Sequence, residues 1–163
     1  MKNYGQQLLR SWLKLRDEDD PFQNTLIHGD LFTDNAMIDE SGRFFLLDFS
    51  ETKFGSMGLD VGTALNSWAT QNGQPVMENV VKFLSAFDDV IPLNDGAISL
   101  IPFFAQIGAY RWETFRVRRI EMQDPRHRLM RSPEEFQSLR YAWREIQVLF
   151  DDAKSVDDLA SNI

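Results

Sequence analysis

The longest apolar segment of the chain, Ile98 to Phe115, carries Ile101, Phe104, Ile107, Trp112 and Phe115. A helix that is apolar around most of its surface has to be enclosed by other elements. The segment therefore predicts a largely buried helix, with Phe103, Phe104, Trp112 and Phe115 as core and the rest of the chain packed about it. Most of what can enclose it is also helical. Leu8, Leu9, Trp12 and Leu13 repeat at helical spacing, and the acidic run Asp17-Glu18-Asp19-Asp20 with Pro21 ends that helix. Val61, Ala64, Leu65 and Trp68 fall at i, i+3, i+4 and i+7 behind Asp60, which reads as an N-cap. Met77, Val80, Val81 and Leu84 repeat the spacing. Ser132-Pro133-Glu134-Glu135 combines an N-cap, a proline at the first helical position and a capping-box glutamate, and Phe136, Leu139, Trp143, Ile146 and Phe150 continue that helix.

One stretch follows another rule. Thr25-Leu26-Ile27-His28, Ala36-Met37-Ile38 and Phe44-Phe45-Leu46-Leu47 are short β-like runs, and Asp39-Glu40-Ser41-Gly42 joins the last two with the length and chemistry of a hairpin loop. A lone hairpin is marginal in water, so this one is expected to lie on the helices. No repeat or Gly, Pro or Ser-rich linker divides the sequence, and 163 residues is a one-domain length. The expectation is a single domain over residues 1–163, mainly α with a small β-hairpin.

Composition narrows the function classes. With 43% apolar and 12% aromatic residues the chain can bury a core, which excludes intrinsic disorder. A net charge of −8 argues against general binding to nucleic acid or an anionic membrane, because phosphate groups are bound by neutralising them with Lys and Arg. Cysteine is absent, which removes disulfides, thiolate metal sites and thiol nucleophiles and fits a reducing, cytoplasmic setting. No apolar stretch has the length of a signal peptide or a membrane span, so a soluble, unexported chain is expected.

The chemistry concentrates in Ile27-His28-Gly29-Asp30-Leu31-Phe32-Thr33-Asp34-Asn35, just after a β-like run. Eighteen residues beyond Asp30, the second strand of the hairpin stops at Asp48. A carboxylate at the end of an apolar strand is expensive to bury without a cation or a donor, and a divalent metal is the economical partner. Asn35 precedes the first hairpin strand and Asp48 ends the second, so antiparallel pairing sets them side by side. Oxygen-only ligands suit Mg²⁺, which accepts one or two protein ligands and completes its shell with water and phosphate oxygens. Asp30 remains to accept a proton from a substrate hydroxyl. A base Asp, a metal Asn five residues on and a metal Asp after a short hairpin form the phosphoryl-transfer arrangement of kinase-like sites.

On these residues the sequence resembles a known group. His28-Gly29-Asp30-Leu31 with Asn35, followed by Leu47-Asp48-Phe49, is similar to the catalytic and metal-binding loops of the aminoglycoside phosphotransferase and choline kinase group of small-molecule kinases. Within it, Asp60 to Trp68 and Tyr110 to Val117 resemble the type II homoserine kinase pattern, over about residues 5 to 145. Valine and glycine stand after Asp60 in place of that family's usual leucine and alanine, and Ser50 replaces the glycine that protein kinases carry after the metal Asp.

The resemblance implies a protein-kinase-like fold with ATP and Mg²⁺. Asp30 is then the general base, with His28 bracing its loop; Asn35 and Asp48 hold the metal, and Asp60 ties the loop to the following helix by accepting backbone hydrogen bonds. Arg111 and Arg116 fall where a homoserine carboxylate or a phosphate needs a cation. The 27 residues before His28 hold no Gly-x-Gly, and Lys2 and Lys14 are not in strand contexts, so the small ATP-binding lobe is expected to be absent. What remains is the C-terminal lobe alone: catalytic loop 27–35, metal-binding hairpin 36–50 and a helical acceptor-binding part 59–152.

That lobe is expected to keep weak Mg²⁺ affinity with negligible ATP turnover, and an apolar face left open is expected to associate with another copy. The acceptor is a homoserine-like amino alcohol, with choline, ethanolamine and aminoglycosides as other acceptors. From Arg111 to Arg131 seven arginines face Glu113, Glu121 and Asp124, a local +4 that leaves −12 elsewhere. This face reads as a solvated, ion-paired surface, as an anionic-substrate site at Arg111 or Arg116, or as a nucleic-acid contact, whereas the acidic remainder would draw a cationic acceptor. A lobe without catalysis, acting as a binding or oligomerisation module, is the alternative.

Overall fold

The computed structural model describes residues 2–17, 20–22, 24–126 and 131–162. In chain order they form helix α1 (Lys2–Asp17), strands β1 (Asn24–Ile27), β2 (Ala36–Ile38), β3 (Phe44–Leu46) and β4 (Lys53–Ser56), and helix α2 (Gly58–Trp68). Strands β5 (Thr70–Gln71) and β6 (Gln74–Pro75) follow, then helices α3 (Met77–Asp88), α4 (Asp95–Glu121), α5 (Pro133–Glu145), α6 (Gln147–Asp151) and α7 (Val156–Ser161). Single 3₁₀ turns at Thr33–Asn35 and Phe49–Glu51 lead into β2 and out of β3. The described residues are thus mostly helical with small antiparallel ladders. None of their helices is long and apolar enough to cross a membrane. Glu18, Asp19 and Arg128, which bear on two of the sequence expectations, lie outside them.

Helix α4 is the buried spine that the apolar segment predicts. Asn94 caps it by accepting the Ala97 N–H at 2.8 Å, and Ile98, Ile101, Phe104 and Ala105 lose all contact with solvent. Helix α2 crosses α4 so closely that a Cβ on Gly62 would run into the Phe104 carbonyl. Only glycine allows that approach. Beside the crossing, the buried Asn66 donates to the Ala105 carbonyl at 2.7 Å and accepts the Trp143 indole N–H at 2.7 Å, joining α2, α4 and α5 through one side chain. Helix α5 starts as expected, with the Ser132 hydroxyl accepting the Glu135 N–H. It stops at Ile146 rather than running on, and the short α6 delivers Phe150 edge-on to Trp143.

Three further expectations differ. Leu9 and Leu13 of α1 are exposed, because this helix reaches the core through the narrower stripe of Leu8 and Trp12, the latter edge-on to Phe104. A fourth strand, β4, lies outside the three β-like runs of the sequence and pairs with β1, from Asn24 opposite Ser56 to Ile27 opposite Lys53. The hairpin β2–β3 touches α2 through the edge of Phe44 on Trp68, while Met37, Ile38, Phe45 and Leu46 stay exposed. Local bonds hold it instead of burial. The Asp39 carboxylate accepts from the Ser41 N–H, the Ser41 hydroxyl, the Arg43 N–H and the Arg43 Nε, and the Leu47 N–H extends the ladder to the Asn35 carbonyl.

Candidate active site

β1 carries the chain inward to Ile27 and His28, both buried. The Asp30 N–H donates to His28 Nδ1 at 3.3 Å, so the ring proton sits on Nε2 and is given to the Leu47 carbonyl at 2.9 Å. His28 thereby joins the loop that holds Asp30 to the strand end that precedes Asp48. Gly29 takes φ of 81°, where a Cβ would strike the Glu51 carbonyl, so glycine is required on both counts. Helix α2 begins at Gly58, two residues before Asp60, so Asp60 lies within its first turn and is not the N-cap that local spacing predicts. Its carboxylate points elsewhere, accepting the His28 N–H at 2.6 Å and the Gly29 N–H at 2.9 Å.

From Asp30 the loop turns on buried Phe32, whose ring meets Trp112 edge-on at 5.0 Å and Phe136 at 6.2 Å. Thr33 is held by Ser67 of α2 through its N–H at 2.9 Å. The turn closes on Asn35, which donates from Nδ2 to the Asp30 carbonyl at 2.8 Å and to its carboxylate at 3.0 Å. Burial pushes the Asp30 carboxyl above its ordinary range, against the opposing pull of the Asn35 hydrogen bond; Asp34 raises it further, and Arg111 and His28 lower it. Asp48 is the opposite case. Exposed and in the left-handed region at φ 55°, it is held below the ordinary range by hydrogen bonds from Ser50.

Asp30, Asn35 and Asp48 line one cleft of about 890 Å³, and Arg111, Arg116, Arg118 and Arg119 of α4 line it as well. His28 and Asp60 hold the loop from behind. Arg111 donates to the Gly29 carbonyl at 2.5 Å and to Glu51 at 3.2 Å, with its guanidinium over the Trp112 ring. Arg116 lies over Trp112 and Phe115, and burial lowers its pKa, with Asp30 and Asp34 acting in the opposite direction. Much of the remaining arginine face is ion-paired. Arg119 and Arg126 share Asp124, Arg131 grips Glu135, and buried Arg140 pairs with Glu113 among three tyrosines.

Sequence reading missed Glu51, Phe32 as the loop's anchor and Ser67 as its tether. Glu51, three residues past Asp48, was in plain view as a charge without an assigned partner.

The donor set suits a hard cation. With Nδ2 of Asn35 committed to Asp30, its Oδ1 is the atom left to bind, and Asp48 adds an ionised carboxylate, an all-oxygen pair of the kind Mg²⁺ prefers. Among the described residues no group of three or more His, Cys, Asp or Glu gathers as a metal site, in this cleft or outside it, so the pair of Asn35 and Asp48 would rely on water and phosphate oxygens for the rest of a metal's shell.

A family model described as the phosphotransferase enzyme family matches residues 3–91, which span the 27–35 loop, the hairpin, α2 and α3 but stop short of Arg111 and Arg116. A homoserine kinase of Polaromonas naphthalenivorans (strain CJ2) is 30% identical over 88 residues, 53% of this chain and 28% of that protein. The chain thus matches little more than a quarter of the length of that relative.

Proposed function

Because the chain belongs to the phosphotransferase enzyme family, we propose that its cleft carries the reacting centre for transfer of the γ-phosphoryl group of ATP to the hydroxyl of a small acceptor. The acceptor oxygen bonds to the phosphorus, the bond to the ADP oxygen breaks, and the hydroxyl proton passes to Asp30. The observation that carries this reading is the Asn35 amide, which fixes the carbonyl and the carboxylate of Asp30 together while Asp48 faces the same cleft. Asn35 Oδ1 and Asp48 would hold Mg²⁺, which when bound neutralises charge on the phosphates. A carboxyl raised by burial is a better proton acceptor than an ordinary one, provided it still ionises at neutral pH.

Residues 1–163 are read as a kinase-like C-terminal lobe, with loop 27–35, hairpin 36–50 and acceptor part 59–152. The hairpin residues that stay exposed, Met37, Ile38, Phe45 and Leu46, are surface that a nucleotide-binding lobe would cover. Among acceptors, a carboxylate-bearing amino alcohol such as homoserine suits Arg116, which lines the cleft together with Asp30. Arg111 lines the same cleft and is held by Gly29 and Glu51.

The test is a Mn²⁺ titration, followed by water-proton relaxation, of the wild type against Asp48→Asn, with phosphorylated product from ATP and a panel of amino alcohols measured alongside. Loss of affinity by about tenfold in Asp48→Asn supports the metal role. Equal Mn²⁺ binding by the two proteins refutes it, and product formed at the wild-type rate by Asp30→Asn in a two-lobed chain carrying this lobe refutes the base. Mn²⁺ binding with negligible turnover is the outcome expected of a C-terminal lobe alone, whereas measurable turnover by these 163 residues would overturn the lobe reading.

A further inference from the structure

We propose that Arg111 is a positioning residue that locks the Asp30 loop to the Asp48 turn, and not a contact for the acceptor. The inference rests on the reading above that Asp30, Asn35 and Asp48 form one reacting centre. It starts from Gly29. The N–H of this residue is taken by Asp60, its carbonyl by Arg111, and its Cα lies where a side chain would collide with the Glu51 backbone. The peptide between Gly29 and Asp30 is then held at both ends, its oxygen by Arg111 and its N–H by His28. A peptide fixed at oxygen and nitrogen cannot rotate, so the direction in which Asp30 leaves the backbone is set.

The second hand of the guanidinium fixes something else. Glu51 closes the 3₁₀ turn that Asp48 opens, and Arg111 Nη2 reaches its carboxylate. One side chain therefore spans the two loops that must agree for a base and a metal to meet one substrate. A planar fork does this and a point charge does not. The platform is rigid as well: Arg111 lies over Trp112, which is buried in α4 and carries Phe32, the anchor of the same catalytic loop, on its ring.

The sign of one measurement separates this role from simple electrostatics. Removing a positive charge from the wall of a cation-binding cleft should, by relief of Coulomb repulsion alone, tighten a cation. Loss of a clamp should loosen it. The experiment titrates Mn²⁺ into the wild type, Arg111→Gln, Arg111→Lys, Glu51→Gln and Arg118→Gln, and reads amide hydrogen exchange at Asp30 and Ser50 by NMR in the same proteins without metal.

Expected is a loss of Mn²⁺ affinity of about tenfold in Arg111→Gln, the size seen when a residue that orients a ligand is removed. Arg111→Lys, which keeps the charge, should recover only part of it. Exchange at both amides should quicken about tenfold, the equivalent of one hydrogen bond lost. Glu51→Gln should shift both readouts the same way, and its combination with Arg111→Lys should add little to either single change. Arg118→Gln, an exposed cation on the same cleft wall, should leave the exchange unchanged.

Tighter Mn²⁺ in Arg111→Gln, or unchanged exchange at Asp30 and Ser50 in both Arg111 variants, overturns the proposal. Should Arg111→Gln fail to fold, Glu51→Gln carries the test, because its side chain is half-exposed and outside the core. The two readings fail separately: wild type that binds no Mn²⁺ refutes the metal site, while the exchange data still decide the clamp.

Discussion

Replacing Asp60 should show how much of the fold is invested in the loop that carries Asp30. Its carboxylate is the acceptor for two backbone donors, the N–H groups of His28 and Gly29, and both of those residues are buried. In Asp60→Ala the two donors are left without a partner, at about 1–3 kcal/mol each for an unsatisfied buried group. The combined loss is about 3–5 kcal/mol, a large share of the ~5–15 kcal/mol that stabilises a typical domain. Asp60→Asn is the finer probe. Its amide offers one oxygen and one NH₂, so it can serve one backbone N–H and must face the other with a donor. It also removes a negative charge from the first turn of α2, worth about 0.3–1 kcal/mol. About 2–3 kcal/mol is expected on these grounds, which with a urea slope of about 1–3 kcal/mol per M moves the midpoint by about 1–2 M. Urea unfolding followed by circular dichroism measures the cost, and hydrogen exchange at the His28 and Gly29 amides locates it. An Asp60→Ala protein within about 0.5 kcal/mol of wild type, the range of an ordinary surface substitution, would refute this account.

Two other consequences can be measured. Asn66→Ala and Trp143→Phe remove the two ends of one buried hydrogen bond, so each alone should cost more than half of the double variant, with a coupling of about 1–2 kcal/mol in a double-mutant cycle; additivity would mean that the 2.7 Å contact contributes nothing. In the hairpin loop, hydrogen bonds from the Ser41 hydroxyl and the Arg43 N–H hold the Asp39 carboxyl down at about 2. Because its folded pKa lies below the ordinary value of about 4, the support it gives the loop is full above that pH and is lost as pH falls through about 2. The Ser41 and Arg43 amide shifts should titrate with that low midpoint, and a midpoint near 4 would show that the loop network is not formed.

What was legible in the sequence is what short spacing encodes. The hairpin followed from two apolar runs and a four-residue connector, and α4 from an apolar segment too long to be left in water. Strand β4 was not legible, because Lys53-Phe54-Gly55-Ser56 has no strand pattern of its own and becomes a strand only by pairing with β1, far back in the chain. The N-cap reading of Asp60 failed for the same physical reason. A carboxylate near a helix start is read locally as a cap, but its partners lie 31 and 32 positions away, and a long-range pair of buried N–H donors outweighs a solvated helix end. At the candidate site, spacing alone brought Asp30, Asn35 and Asp48 to one cleft, whereas the partners of Arg111 could not be read from a helix face that might equally have been solvated.

Helix α4 shows why these two kinds of information cannot be separated in this chain. Its first half is core, with Ile98, Ile101 and Phe104 fully buried, and its second half lines the cleft with arginines. The seam between them is Arg111-Trp112. Trp112 belongs to the core by burial, yet its ring is the surface on which Phe32 seats the Asp30 loop and over which Arg111 lies. Phe32 is itself buried and stands midway between Asp30 and Asn35, so the register of those two polar groups is fixed by an aromatic contact and not by the polar groups themselves. A cavity at Phe32 would leave Asn35 and Asp30 chemically intact but displaced. A displacement of that kind is costly, since a reacting group about 1 Å out of place can lose two orders of magnitude in rate. The apolar pattern that first fixes the fold therefore also fixes the geometry of the site, and the polar residues are only as well placed as the core beneath them.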